Sequence, residues 1–221
     1  MGLEKGLFIT LEGPEGSGKS TQVKKIAAYC RRRGIHVLVL REPGGTQIGE
    51  AIRDLLLHLR VKSMAPETEL MLYLAARAQI VREKILPALQ KGRVVVCDRF
   101  EDSTLAYQGF GRGLNAAKIH AASRLVRGTL QPDITFLLDI DSAEGLKRAG
   151  RRSISSARSR GRDGRVFADR MEKAPLAFHR RVRNGFLTLA RRQKKRFRIL
   201  DARQSPERVF KKIREVLDRV L

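Results

Sequence analysis

With 221 residues, 42% of them hydrophobic, the chain is long enough for one α/β domain with a substantial core, which excludes disorder as its overall state. No stretch approaches the roughly 18 to 20 uncharged apolar residues of a membrane span, and Cys30 and Cys97 lack CxxC spacing, so a membrane protein, a disulfide framework and a zinc site are excluded and a cytoplasmic setting is expected. The net charge of +23 is uneven: residues 146–221 hold 25 basic and 7 acidic residues, a net +18, against +5 for residues 1–145. Such a block fits a nucleic-acid or membrane footprint, a phosphate-handling surface, or solvated Arg-rich helix faces. No repeat and no Pro-rich or Ser/Gly-rich linker divides the chain, so one domain over 1–221 is expected.

The run Leu7-Phe8-Ile9-Thr10-Leu11, closed by Gly13, reads as a buried strand. A Gly-rich turn and a helix from about Ser20 to Arg33 follow, stopped by Gly34, and Val37-Leu38-Val39-Leu40 makes a second buried strand. Pro43-Gly44-Gly45 marks a loop before an amphipathic helix from Ile48 to Leu59, and another helix covers Glu67 to Gln90. Val94 to Cys97 is a third strand, Ile134 to Ile140 a fourth and Arg198 to Leu200 a weaker fifth, with helices near 115–127, 142–150, 169–193 and 205–220. Strands apolar on both faces, alternating with helices, indicate a parallel sheet covered on both sides. Segment 150–168, dominated by Gly, Ser and Arg without periodicity, reads as a mobile surface loop.

The strongest chemical signal is Gly13-Pro14-Glu15-Gly16-Ser17-Gly18-Lys19-Ser20, a GxxxxGK[ST] match between a strand and a helix. Glycines let the backbone wrap a phosphate chain so that N–H groups and the helix N-terminus face the anion; Lys19 reaches the β and γ phosphates of a nucleoside triphosphate and the Ser20 hydroxyl can ligate Mg²⁺, with Thr21 next in line, a cradle that GTPases, ATPases and small kinases share. Asp98-Arg99 follows the third strand at its carboxyl end, where open α/β sheets collect ligands. An Asp there can hold Mg²⁺ through water, and an Arg can bridge anions bidentately. His36, His58, His120 and His179 have no metal-ligand spacing and read as surface or satisfied residues, and the basic run Arg191 to Arg198 reads as a solvated helix end.

Taken together, Leu11-Glu12-Gly13, the Gly-rich loop, Arg41-Glu42-Pro43-Gly44-Gly45-Thr46, Leu74 to Arg77, Asp98-Arg99-Phe100, Ser103 to Gly109 and Asp169-Arg170-Met171-Glu172 resemble bacterial-type thymidylate kinases in order and spacing over nearly the whole chain. The resemblance implies the P-loop NTPase fold with a five-stranded parallel sheet, and transfer of the γ-phosphoryl of ATP to thymidine 5′-monophosphate. It implies that Glu15 accepts a hydrogen bond from the sugar 3′-OH and that Tyr73, where the family usually has Phe, stacks on the base. Arg77 would donate to the pyrimidine O4, Thr104 and Gln108 would read the other base edge and the phosphate end, and Tyr107 would crowd the 2′ position. Arg53 and Arg99 would clamp the acceptor phosphate.

The eukaryotic branch of the family supplies an Arg from its P-loop where this chain has Gly16, so the missing cation is expected from a lid at about 147–168. That segment is longer and more basic than the family's usual lid. Arg158 and Arg160 are the catalytic candidates, and Arg148 is expected near the adenine or phosphates. A homodimer is also implied by the resemblance. Two alternatives stand beside this function: a kinase for another deoxynucleoside monophosphate, and a P-loop protein that binds nucleic acid through its basic C-terminal half.

Overall fold

The computed structural model describes residues 6–57, 63–155 and 170–221. Its strands are β1 (Leu7–Glu12), β2 (Val37–Arg41), β3 (Val94–Asp98), β4 (Ile134–Asp139) and β5 (Phe197–Asp201). They form one all-parallel sheet in the order β2-β3-β1-β4-β5. The helices are α1 (Lys19–Arg32), α2 (Gln47–Leu57), α3 (Pro66–Ile80), α4 (Leu86–Gln90), α5 (Glu101–Thr104), α6 (Ala116–Arg127), α7 (Ser142–Ser155), α8 (Leu176–Arg192) and α9 (Pro206–Leu217).

Alternation along the central strands explains why their sequences are apolar throughout. Ile9, Leu11, Val94 and Val96 pack on one face with Val23 and Ile26 of α1 and Ile213 and Leu217 of α9. Phe8, Val95 and Cys97 point the other way, against Ile80, Ile85 and Phe100. Each such buried side chain contributes about 1.5 to 3 kcal/mol of apolar burial. The edge strands depart from the expectation: β2 is only half buried, with Val39 at 40% exposure, because an edge strand has one neighbour and thin helical cover.

Other differences have local causes. The helix expected over 67–90 is α3 and α4 joined by a π-helical turn, Val81–Ile85, just before Pro87, whose missing N–H cannot close the regular ladder. The helix expected from 169 begins at Leu176, behind Pro175 at its N-cap, and residues 170–173 form a turn. α7 runs on to Ser155, through the start of the segment read as a loop; 156–169 lie outside the described residues. α5 and the π-helical turn Leu105–Gly111 that continues it were not expected. That turn is shaped by tertiary contact: Gly111 abuts Phe178 and Val182, and Gly185 of α8 abuts Phe110.

The register sets the stage for chemistry. Leu11 of β1 stands opposite Asp98 of β3, so the turn after β1 and the turn after β3 leave the sheet side by side.

Candidate active site

At this carboxyl edge lies a cavity of about 390 Å³. Its walls include residues 15–20, Arg53, Tyr73, Arg77, Asp98, Arg99, Thr104, Tyr107 and Gln108, so most of the side chains singled out in the sequence converge on one space. Gly13 and Pro14 contribute carbonyls beneath it. Thr21 is exposed on α1 and is not among the lining residues.

The turn after β1 needs glycine. Gly13, Gly16 and Gly18 have φ of 140°, 67° and 89°, which disfavour a side chain. At Gly16 a Cβ would sit 2.0 Å from the Gly145 carbonyl oxygen on α7, so position 16 has no room for a side chain. Lys19 opens α1 and donates through Nζ to the carbonyls of Gly13 (3.0 Å) and Pro14 (2.8 Å) and to Ser17 Oγ (3.3 Å). Burial, reinforced by Arg99, pulls its pKa down to about 8 against Asp98, Glu15 and Glu12.

Ser20 donates its hydroxyl to Asp98 Oδ2 at 3.1 Å, setting two hard oxygen donors together at the strand end. This donor set fits Mg²⁺, which takes one or two protein oxygens and keeps the rest of its shell for water and phosphate. Among the described residues no group of three or more His, Cys, Asp or Glu is placed to hold a metal by itself.

Arg99 has φ of 71°, the single positive value among the described non-glycine residues. Its guanidinium donates to Gly13 O and Ser103 Oγ (both 3.0 Å), Tyr107 Oη (3.1 Å) and Glu15 Oε1 (3.3 Å), and it lies over the Tyr107 ring. What holds the unusual turn is Glu12, fully buried at the end of β1. Its carboxyl group accepts the Phe100 N–H at 2.8 Å through Oε1 and is hydrogen-bonded to the Ser103 hydroxyl through Oε2. Burial, helped by Asp102, pushes the Glu12 carboxyl up to about 8.

Glu15 accepts from the Tyr107 hydroxyl as well as Arg99, while its Oε2 faces Nδ1 of His179 at 3.3 Å, without the alignment of a hydrogen bond. Burial opposes its charge, but His179, Arg99, Lys19 and Tyr107 outweigh that and hold the pKa at about 2. His179 was read as surface or satisfied; it is instead buried, and neither ring nitrogen has a hydrogen bond among the described residues. α8 delivers it because Phe178, Val182 and Phe186 bury that side of the helix.

The base-reading candidates are tied into the walls. Arg77, 1% exposed, donates to Glu42 (2.9 Å) and Thr104 Oγ1 (2.9 Å) and covers the Phe100 ring. Gln108 donates to Glu69 (2.8 Å), and Arg53 to Pro43 O (2.8 Å). Arg148 lies apart: it binds Ala202 O at 2.8 Å and pairs with Glu144, outside the cavity lining. Arg158 and Arg160 lie outside the described residues. In the basic run 191–198, Arg196 departs from the solvated expectation, forming a two-point pair with Asp102 (2.7 and 2.8 Å) and reaching Thr135.

Comparison with known proteins agrees with this geometry. A family model described as thymidylate kinase matches residues 11–213. The chain belongs to the thymidylate kinase family. It is similar to the thymidylate kinase of Roseiflexus sp. (44% identity over 212 residues, 96% of this chain and 93% of that one) and of Deinococcus radiodurans (48% over 200 residues, 90% of each). The crystal structure of thymidylate kinase from Ehrlichia chaffeensis superposes with a TM-score of 0.74 at 32% identity, covering 97% of this chain and 99% of that one. Within this family frame, Glu12, Glu42, Glu69 and His179 are site-forming residues that sequence reasoning passed over. Glu12 and Glu42 stood inside the quoted motifs, where their spacing beside Gly13 and Pro43 was the available signal.

Proposed function

We infer that this member of the family carries out ATP-dependent phosphorylation of thymidine 5′-monophosphate by direct in-line transfer, with the cavity side chains in the roles that follow. The observation that carries this reading is that Lys19, Asp98, Arg99 and Arg53 line the same cavity as Tyr73, Arg77, Thr104 and Gln108. The first set supplies charge that suits phosphates and Mg²⁺; the second supplies an aromatic ring and polar groups that suit a base.

Residues 13–20 cradle the ATP phosphates through backbone N–H groups, and Lys19 moves from the Gly13 and Pro14 carbonyls onto the β and γ oxygens. Ser20 and Asp98 would hold Mg²⁺, which when bound with ATP neutralises charge on those oxygens. Arg99 and Arg53 hold the acceptor phosphate; bringing one unit of like charge to 4 Å of another costs about 4 kcal/mol at an effective dielectric near 20, so several cations are needed. The acceptor oxygen is already anionic near neutral pH and requires alignment rather than a general base. Tyr107, fixed by Arg99 and Glu15, narrows the sugar region, and Glu15 orients both. Gly16 has no room for a side chain, and the family resemblance implies that the transition-state cation comes instead from Arg158 or Arg160, which lie outside the described residues.

A cytoplasmic homodimer belongs to the same reading; no helix among the described residues is long and apolar enough to cross a membrane. The family match over residues 11–213 favours the kinase over the nucleic-acid alternative. The test is a coupled ADP-release assay with ATP and Mg²⁺, comparing the monophosphates of thymidine, deoxyuridine, deoxycytidine, deoxyguanosine and uridine. Turnover with the thymidine nucleotide at least about tenfold above the others is expected from the loss of one or more base contacts. No acceptor-dependent turnover would overturn the reading.

A further inference from the structure

Gln108 sits on the base side of the cavity, yet the group that decides what it can do there is one layer behind it. Glu69 of α3 is 1% exposed and gathers four donor contacts: Gln108 Nε2 at 2.8 Å, Arg112 Nε and Nη2 at 3.2 and 3.1 Å, and Arg170 Nη2. The two arginines keep this carboxylate ionised; burial opposes the charge, but these contacts outweigh it and its pKa moves down.

An ionised carboxylate only accepts hydrogen bonds, whereas a side-chain amide has one donating and one accepting end. Glu69 therefore takes the NH₂ end of Gln108, and the carbonyl Oε1 is the end left for the cavity that Gln108 lines. Arg77, which lines the same cavity, is donor-only. The lining then presents a donor at 77 and an acceptor at 108. A base edge with a carbonyl next to a ring N–H matches both, as thymine and uracil do at O4 and N3. Cytosine, with an amine and a bare ring nitrogen there, mismatches both.

We propose that Glu69 is a specificity-determining positioning residue: by locking the Gln108 amide with its carbonyl toward the ligand, it makes the site select bases that donate from ring N3. This rests on the kinase function above and names how one base edge is chosen.

The test is the ratio of kcat/KM for the thymidine and deoxycytidine monophosphates in wild type and Glu69→Gln. The substituted amide can accept as well as donate, so Gln108 is released to turn over, and the ratio falls at least about tenfold, the worth of one hydrogen bond of about 1.4 kcal/mol. Equal loss on both acceptors, leaving the ratio unchanged, would show a purely structural role and overturn the proposal. In a Gln108→Leu background, Glu69→Gln is expected to change the ratio no further; an additional fall of the same size would also overturn it. If Glu69→Gln does not fold, Gln108→Leu, which leaves Glu69 with Arg112 and Arg170, reads the same ratio: a fall supports the proposal and an unchanged ratio refutes it. Wild type without turnover on the thymidine nucleotide would instead remove the kinase reading and this inference with it.

Discussion

Glu12 offers a test in which the sign of a pH effect is opposite to that of an ordinary salt-bridged carboxylate. Its folded pKa, about 8, lies above its usual 4.5 because burial and Asp102 penalise the charge. Between those values the folded chain keeps a proton that the unfolded chain has released, so this group's contribution is full below about 4.5 and is lost as pH rises to about 8. At about 1.4 kcal/mol per pH unit the ceiling is about 5 kcal/mol. Glu12→Gln imitates the protonated carboxyl: its carbonyl accepts the Phe100 N–H and its amide faces Ser103 Oγ. We expect variant and wild type to have similar urea stabilities at pH 5 and to diverge toward pH 8, the variant becoming the more stable by about 2 to 5 kcal/mol. Parallel stability curves from pH 5 to 8, at constant ionic strength, would refute the buried-acid account of the Arg99 turn.

Three further outcomes follow from the site. Arg99→Ala is expected to lower kcat by about 100-fold or more with an unchanged far-UV circular dichroism spectrum; near-normal turnover would remove Arg99 from the phosphate clamp. Glu15→Gln is expected to raise KM for the thymidine nucleotide more than for ATP, because Glu15 anchors Tyr107 and Arg99 on the acceptor side; initial-rate measurements with each substrate varied decide this, and equal increases would count against it. Gly16→Ala forces a Cβ to within 2.0 Å of Gly145 O at a φ of 67°, so a loss of about 2 kcal/mol or more, seen as a lowered thermal midpoint, is expected; an unshifted midpoint would mean that α7 yields easily.

Much of this site was legible because phosphate chemistry constrains residue type and spacing together. Gly13 to Ser20 announces itself through backbone geometry that only glycine tolerates, and Asp98-Arg99 through its place after an apolar strand. The parallel sheet followed from the same apolar runs. Less visible were features created by contacts distant in the chain. His179 carries no local mark of its meeting with Glu15, which depends on how α8 packs. The π-helical turn at 105–111 is set by Phe178, Val182 and Gly185, and no local propensity encodes it. Glu69 lay on a helix of weak amphipathic contrast, where a glutamate reads as surface charge until Arg112 and Arg170 are seen to converge on it. α7 outran expectation because Gly150, Ser153 and Ser155 are weak helix formers, so the sequence after Ala149 reads by its composition as a loop although the helix continues through it to Ser155.

The bonding of Lys19 and Arg99 has a consequence for how ligands enter. Both cations have internal partners, Lys19 two carbonyls and the Ser17 hydroxyl, and Arg99 a carbonyl, two hydroxyls and the Glu15 carboxylate. Phosphate arrival is therefore an exchange of partners. Each phosphate oxygen displaces an internal acceptor, so only the difference between the two bonds reaches the binding free energy. An anion that replaces these acceptors one at a time gains only that difference at each exchange, so the internal partners of Lys19 and Arg99 set the reference against which every phosphate contact is measured.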